Sequence, residues 1–400
     1  MEEQGLENTG DRSRRREKAP LSSFGWRWLF PLFFLAAVIW SALLLIESAD
    51  ELLNDQSGES LGAILDVSAP GFEAFVEQTW SMVIATENEQ GSLVDVVVGA
   101  VADREEGGGS LLIISPSLVT DSDCDQPICT LSSMYDEGGL DSLTAALVDL
   151  FNVGFTEEVL LTPTRWAGLV APVNAVEVTL ENSLVEVTDE GVEIVQFPQG
   201  DVNIADEKVV DFLSSANYVA ATEQMNLSKG FWESWLKEIG ENGSPVEKLP
   251  DLGLSVVDFL AVVGAAETGV ITFPITNSES SVAPNLIELE NIVVDLFPFP
   301  IAAVPGDRLT VRLMNGTGDS TVDSLARKHV ISAGVEIVVI GNMERFDFQE
   351  SKVVYRDPLI AEAVESLGTE LGFRVEFNEL ISPVAEVTVV IGADFLVLVQ

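Results

Sequence analysis

The stretch "VRLMNGTGDSTVDSLARKHV" runs apolar, breaks at Asn315, Gly316, Thr317 and Gly318, and resumes with helical spacing. A glycine-rich turn between strand and helix can hold a phosphate on its backbone N–H groups. This one lacks the Gly-Lys-Ser/Thr ending of a nucleotide loop and the third glycine of a dinucleotide fingerprint. It reads instead as a tight strand-to-helix connection. Gly316 and Gly318 would take backbone angles that other residues avoid, and Asp319 or Ser320 would cap the helix. No nucleotide and no cofactor is expected.

Other residues invite chemistry more weakly. Asp121, Asp123 and Asp125 alternate as in a calcium loop, but Gln126 and Ser132 stand where that loop needs Gly and Glu. A solvated acidic loop is the expectation, with no metal. Cys124 and Cys129 are the chain's two cysteines and bracket a short loop, "CDQPIC". A zinc site would need further ligands, and His329 is the single histidine. Two unpaired thiols or a disulfide remain, and an oxidising compartment favours the disulfide. His329 lies in "LARKHV" with no nucleophile or carboxylate constellation and reads as a surface helix residue. Trp232 and Trp235 could form a sugar platform, but a buried helix stripe is the commoner use of that spacing.

The elements that must position these residues alternate. Strands are expected at "WSMVIAT", "LVDVVVGAVA" and "GGGSLLIIS", then a helix at "DSLTAALVDLFN". A strand "EEVLLT", a short helix "RWAGLVAPV" and strands "AVEVTL" and "LVEV" follow. Helices are expected at "IADEKVVDFLSSA" and "LSKGFWESWLKEIG". The class is α/β with a central mixed sheet. Beyond a Pro-rich passage, "LFPFPIAAVPGD", the order over the last ninety or so residues is βαββαββ.

Charge and hydropathy place the chain. There are 65 Asp and Glu against 20 Lys and Arg, for a net charge of -45. Such a surface repels nucleic acid, whose affinity rests on cations at phosphates. From Trp28 to Ile46 no residue is charged, and at about 1.5 Å rise this stretch reaches just under 30 Å, enough for a bilayer core. Arg12, Arg14, Arg15, Arg16, Lys18 and Arg27 precede it, whereas Glu47, Asp50 and Glu51 follow, so the N-terminus lies inside. A cleaved signal peptide ending at Ala49 would put Glu47 where a small neutral residue is wanted. A retained single-pass type II anchor in the plasma membrane is therefore expected, with the C-terminal ectodomain outside the cytoplasm. The expected organisation is a disordered basic tail at 1–27, the membrane helix at 28–46, an acidic linker at 47–75, a larger α/β domain at 76–296, a Pro-rich linker at 297–306 and a small domain at 307–400.

The segment "VRLMNGTG…LARKHVISAGVEIVVIGNMERFDFQESKVVYRD…VTVVIGADF" resembles the LytR C-terminal domain of bacterial cell-envelope proteins. The Asn-Gly-Thr-Gly turn, the Gly-Asn after the second strand, the Tyr-Arg before the second helix and the closing Val-Val-Ile-Gly-x-Asp-Phe all carry the resemblance, over roughly Leu309 to Phe395. That domain commonly follows a LytR-CpsA-Psr domain, which transfers lipid-linked glycopolymers to peptidoglycan using arginines on a pyrophosphate and a magnesium held by aspartate. The frame of the larger domain is similar to it in "SMYDEGG", in "FNVGFTEEVLLTPTRWAGLVAPVNAVEV" and in "FPQGDVNIADEKVVDFLSSA". The family's cationic positions are not matched. Its Ile-Pro-Arg-Asp falls on Ser115, Pro116, Ser117 and Leu118, and a lysine falls on Thr130. Its Arg-x-Arg falls on Ser214 and Ala216, its Arg-Gln on Glu223 and Gln224, and its Gly-Gly on Asn174 and Ala175.

The resemblance therefore implies an envelope protein of a Gram-positive, actinobacterial cell whose LytR-CpsA-Psr-like domain is degenerate and holds no catalytic residues. It would bind, scaffold or regulate cell-wall assembly, with peptidoglycan, a wall glycopolymer or other envelope proteins as partners. Two alternatives stay open: a glycopolymer-peptidoglycan phosphotransferase working through other residues, and a partner-binding ectodomain unrelated to wall polymer.

Overall fold

Continuous apolar runs with β-branched residues make strands that are buried on both faces. Leu93–Val101 is buried along its whole length, and Ser81–Glu87 all but its last residue. They form the middle of a five-stranded mixed sheet ordered Thr268–Thr272, Gly109–Ile114, Leu93–Val101, Ser81–Glu87, Glu157–Leu161. The outer pairs are parallel and the inner ones antiparallel. The structure, a computed structural model, describes residues 64–188, 191–215, 219–240, 245–277 and 282–398. The expected tail and membrane helix (1–27 and 28–46) lie outside these residues, and among the described residues no helix is long and apolar enough to cross a membrane.

Helices cover the sheet with apolar faces. Leu131–Phe151 starts ten residues before the expected helix, because Gly138 and Gly139 mask its first turns in the sequence. Gly139 breaks the helical path with φ 69°. Ala221–Gly240 turns Phe231, Trp232, Trp235 and Ile239 inward. The helix expected over 204–216 begins later. Gly200–Ala205 is a strand paired with Ala175–Leu180, and Val209–Ser215 is the helix.

The last domain builds a second core on a six-stranded sheet ordered Glu73–Phe75, Glu336–Asn342, Thr310–Asn315, Val387–Ile391, Lys352–Tyr355, Arg374–Phe377. From Thr310 onward the elements run βαββαββ, with helices Asp323–Ser332 and Ala361–Leu371. The described end of one expected linker and most of the other are packed. The end of the 47–75 stretch supplies the edge strand Glu73–Phe75. In 297–306, Phe297 is fully buried, edge-on to Phe151 and Phe155, and Ile301–Ala302 pairs with Val153–Gly154. Phe299 exchanges two hydrogen bonds with Thr79, at 2.8 and 2.9 Å. Prolines there hold an extended ribbon whose aromatic side chains insert into the cores on either side, so a Pro-rich composition does not mean a loose tether.

Candidate functional site

The end of strand Gly109–Ile114 is where the family resemblance places Pro-Arg-Asp. Here Ser115 is buried, and its hydroxyl donates to Gln224 Oε1 at 2.7 Å and lies 2.8 Å from Ser117 Oγ. Gln224 Nε2 in turn reaches the Val94 carbonyl at 3.4 Å. Ser115, Ser117 and Gln224 thus form one neutral network, brought together from the sheet and the helix Ala221–Gly240. Leu118, at the aspartate position, is fully buried and apolar. Thr130, at the lysine position, caps the helix Leu131–Phe151 by accepting from Ser133 N at 3.2 Å. Tyr135 on that helix donates its hydroxyl to Glu87 Oε2 at 2.7 Å.

Ser214 lies apart from this network, in an open cleft of about 580 Å³ walled by Glu89, Glu186, Glu207, Lys208 and Asp211. Lys208 is the cation among the lining residues, and its ammonium is already held by Asp211 at 2.8 Å. Ala216 lies outside the described residues. Glu223 stands in the first turn of its helix, and Asn174 sits at φ 64° ahead of the strand that Ala175 opens. The domain's two arginines are engaged elsewhere. Arg165 Nη1 donates to the Leu160 carbonyl at 2.5 Å, and Arg104 lies over the Trp80 ring and 3.8 Å from Glu77. A pyrophosphate needs bidentate or point-charge donors facing it; this arrangement presents carboxylates and hydroxyls.

Sequence reasoning missed one group. Asp95 sits inside the strand Leu93–Val101, buried beneath helix Ala221–Gly240, where Ser228 Oγ and Trp232 Nε1 donate to its two oxygens at 2.7 and 3.2 Å. Burial pushes its carboxyl up to about 6, against the pull of those donors. The available signal was a lone acid in an otherwise apolar strand.

The remaining candidates resolve into structure. Asp121, Asp123 and Asp125 are exposed, and among the described residues no group of three or more metal-ligating side chains gathers. Cys124 and Cys129 are bonded, Sγ to Sγ at 2.06 Å. Closing so short a loop adds about 2 kcal/mol at most. Peptide mapping without reductant is expected to recover the two cysteines in one linked species; labelling of both as free thiols in folded protein would contradict it. Trp232 and Trp235 are fully buried and offer no face to a sugar. His329 is not the free surface residue expected. It is half-buried against Phe373 and Phe395, each 5.8 Å away, with Nε2 3.1 Å from the Leu371 carbonyl. That carbonyl ends the helix Ala361–Leu371 without an intrahelical partner, so the imidazole N–H caps it.

The Asn315–Gly318 turn shows its purpose through its hydrogen bonds. Asn315 Oδ1 accepts from Thr317 N at 2.8 Å, Thr317 Oγ1 at 2.8 Å and Gly318 N at 3.2 Å. Its Nδ2 donates to the Asp319 carbonyl and to Asp323. Gly316 N donates to the Ile391 carbonyl, and Asp319 N to Thr317 Oγ1. Every amide from Gly316 to Asp319 is spent inside the fold, so none faces a phosphate. Of the two glycines only Gly318 takes a positive φ, 73°, and a Cβ on it would meet the Phe346 ring at 2.6 Å; Gly316 is needed for space instead, since a Cβ there would meet Phe348 Cβ at 2.8 Å. The turn locks three strands and a helix together. Residues 308–395 match the family described as LytR cell envelope-related transcriptional attenuator. They form a LytR C-terminal domain.

No curated protein matches the sequence. Among solved structures, B. subtilis TagV is similar at 12% identity and a TM-score of 0.42, covering 55% of this chain and 96% of its own. A LytR-Csp2A-Psr enzyme from Actinomyces oris is similar at 14% identity and a TM-score of 0.40, covering 57% and 94%. The LytR-CPS2A-psr family protein YwtF (TagT), solved with bound octaprenyl pyrophosphate lipid, is similar at 13% identity and 0.41, covering 55% and 89%.

Proposed function

We propose that this chain is a non-catalytic protein of the bacterial cell envelope, anchored by residues 28–46 with its ectodomain outside the cytoplasm. It binds wall polymer or scaffolds wall assembly. The LytR C-terminal domain supports the envelope assignment. The absence of catalysis rests on one observation above all: Ser117 and Leu118 stand where a pyrophosphate-handling relative would present an arginine and a metal-binding aspartate, and Ser117 lies in a neutral network with Ser115 and Gln224 while Leu118 is buried and apolar. The acid-walled cleft around Ser214 adds to this, because bringing a polyanionic head group against carboxylates is electrostatically opposed at every distance.

The size of the effect is large. Losing one preorganised donor to a developing oxyanion costs roughly 2.7–4 kcal/mol of barrier, and several such donors are missing. Purified ectodomain incubated with a polyprenyl-pyrophosphate-linked glycan, with and without magnesium, is expected to release no more product than a heat-inactivated control. Turnover above that control overturns the proposal. Retention of the same ectodomain on isolated cell wall, against its passage over an acid-stripped wall, tests the binding arm.

A further inference from the structure

We infer that Gly341 and Asn342 of the LytR C-terminal domain form a strand-acceptor site, and that its occupant is the chain's own segment 67–76. This goes beyond the proposed function: it gives the C-terminal domain a binding activity of its own, for an extended peptide backbone.

The residues on both sides carry the inference. Asn342 Nδ2 donates to two carbonyls at once, those of Val67 and Ala69, each at 2.9 Å and as much as 275 residues away in sequence. Its backbone N–H donates to the Phe72 carbonyl at 2.8 Å. Gly71 N donates to the Met343 carbonyl and Val76 N to the Val338 carbonyl, so the ladder continues on both sides of the Glu73–Gly341 pair. Gly71 takes φ 78° to make this bend. Gly341 is required by the approach, since a Cβ there would lie 2.1 Å from the Phe72 carbonyl oxygen. Gly341 itself does not take a positive φ, so its lack of a side chain serves the incoming strand and not its own backbone.

The segment is held chiefly by its backbone, with Val76 at its end packing on the second core. Val67 is 70% exposed and Phe75 79% exposed, so neither apolar side chain is seated. One charge contact sets the register: Arg312, reaching across from the neighbouring strand, pairs with the Glu73 carboxylate through Nε and Nη2. Main-chain hydrogen bonds supply the affinity and one or two side chains the register, which is how strand addition recognises a peptide. An empty Glu336–Asn342 edge would expose unpaired N–H and C=O groups to any other strand. The docked segment covers that edge and ties the start of the ectodomain to its last domain.

The test is hydrogen exchange on the full-length chain in detergent, comparing wild type, Gly341→Val and Asn342→Ala. Gly341→Val is expected to speed exchange of peptides covering 67–76 by about tenfold or more, the loss of a few backbone hydrogen bonds. Strands Thr310–Asn315 and Val387–Ile391 should stay protected. Asn342→Ala, which adds no atoms, should raise exchange in the same segment severalfold, and it decides alone if the valine disturbs those inner strands. Equal protection of 67–76 in all three proteins overturns the site. Protection that falls on dilution, together with a dimer at high concentration, would mean that a second copy supplies the strand and would overturn the assignment of the occupant.

Discussion

Trp166→Ala is expected to destabilise the larger domain by about 4 kcal/mol, within the range of roughly 3–5 for removing a buried tryptophan. Trp166 is fully buried at the centre of an aromatic cluster, with ring centroids 5.6 Å from Phe231, 5.2 Å from Trp232 and 5.4 Å from Trp235. All three contacts are edge-on, the arrangement aromatic quadrupoles favour. Alanine would leave a cavity that rigid rings on a long helix cannot collapse into. It would also strand the hydroxyl of Thr86, fully buried, which now accepts from Trp166 Nε1 at 3.0 Å. Trp166→Phe fills part of the space but still loses that bond, so it should cost roughly half as much. Chemical denaturation followed by far-UV dichroism measures both. A loss under about 1 kcal/mol for the alanine variant would show that the cluster does not support the fold as described.

The same helix shows what the sequence can and cannot reveal. Apolar spacing in "LSKGFWESWLKEIG" identifies an inward stripe, and Trp232 and Trp235 are where that stripe puts them. The LytR C-terminal domain was legible element by element, because each strand and helix is local, short and bounded by its own turn signal. Its edge strand was not. Glu73–Phe75 carries no alternation, and what makes it a strand is a partner far along the chain, with Gly341 leaving room for it. The packing of Phe297 and Phe299 was hidden for a related reason: proline content signals extension, and only tertiary context says whether an extended segment is free. At the candidate site, the missing cations at Ser117, Thr130, Ser214 and Glu223 could be read from residue types. The bond from Ser115 to Gln224 could not, nor could the capping role of His329, since each joins elements whose approach depends on the whole fold.

Asp95 sets the last expected result, a pH-dependent gain from its removal. Its folded carboxyl titrates at about 6 instead of 3.8, because burial between sheet and helix disfavours the charged form more than Ser228, Trp232 and the Val96 amide favour it. A carboxyl raised in the fold binds its proton more tightly there than in the unfolded chain. The stability tied to it is thus complete below about pH 4 and is lost as pH rises through about 6. At about 1.36 kcal/mol per pKa unit, the loss approaches roughly 3 kcal/mol by pH 8. Asp95→Asn removes the ionisation while keeping the shape. Its carbonyl oxygen can accept from Trp232 Nε1, and its amide can donate to Ser228 Oγ. The variant should therefore be the more stable protein at pH 8, by up to about 3 kcal/mol, and close to the wild type near pH 4. Urea midpoints taken from pH 4 to pH 8 read the difference directly. A gap that stays constant across that range would show that the buried carboxylate does not titrate there, and a variant less stable than wild type at pH 8 would show that the charged form is the one this pocket is built to hold.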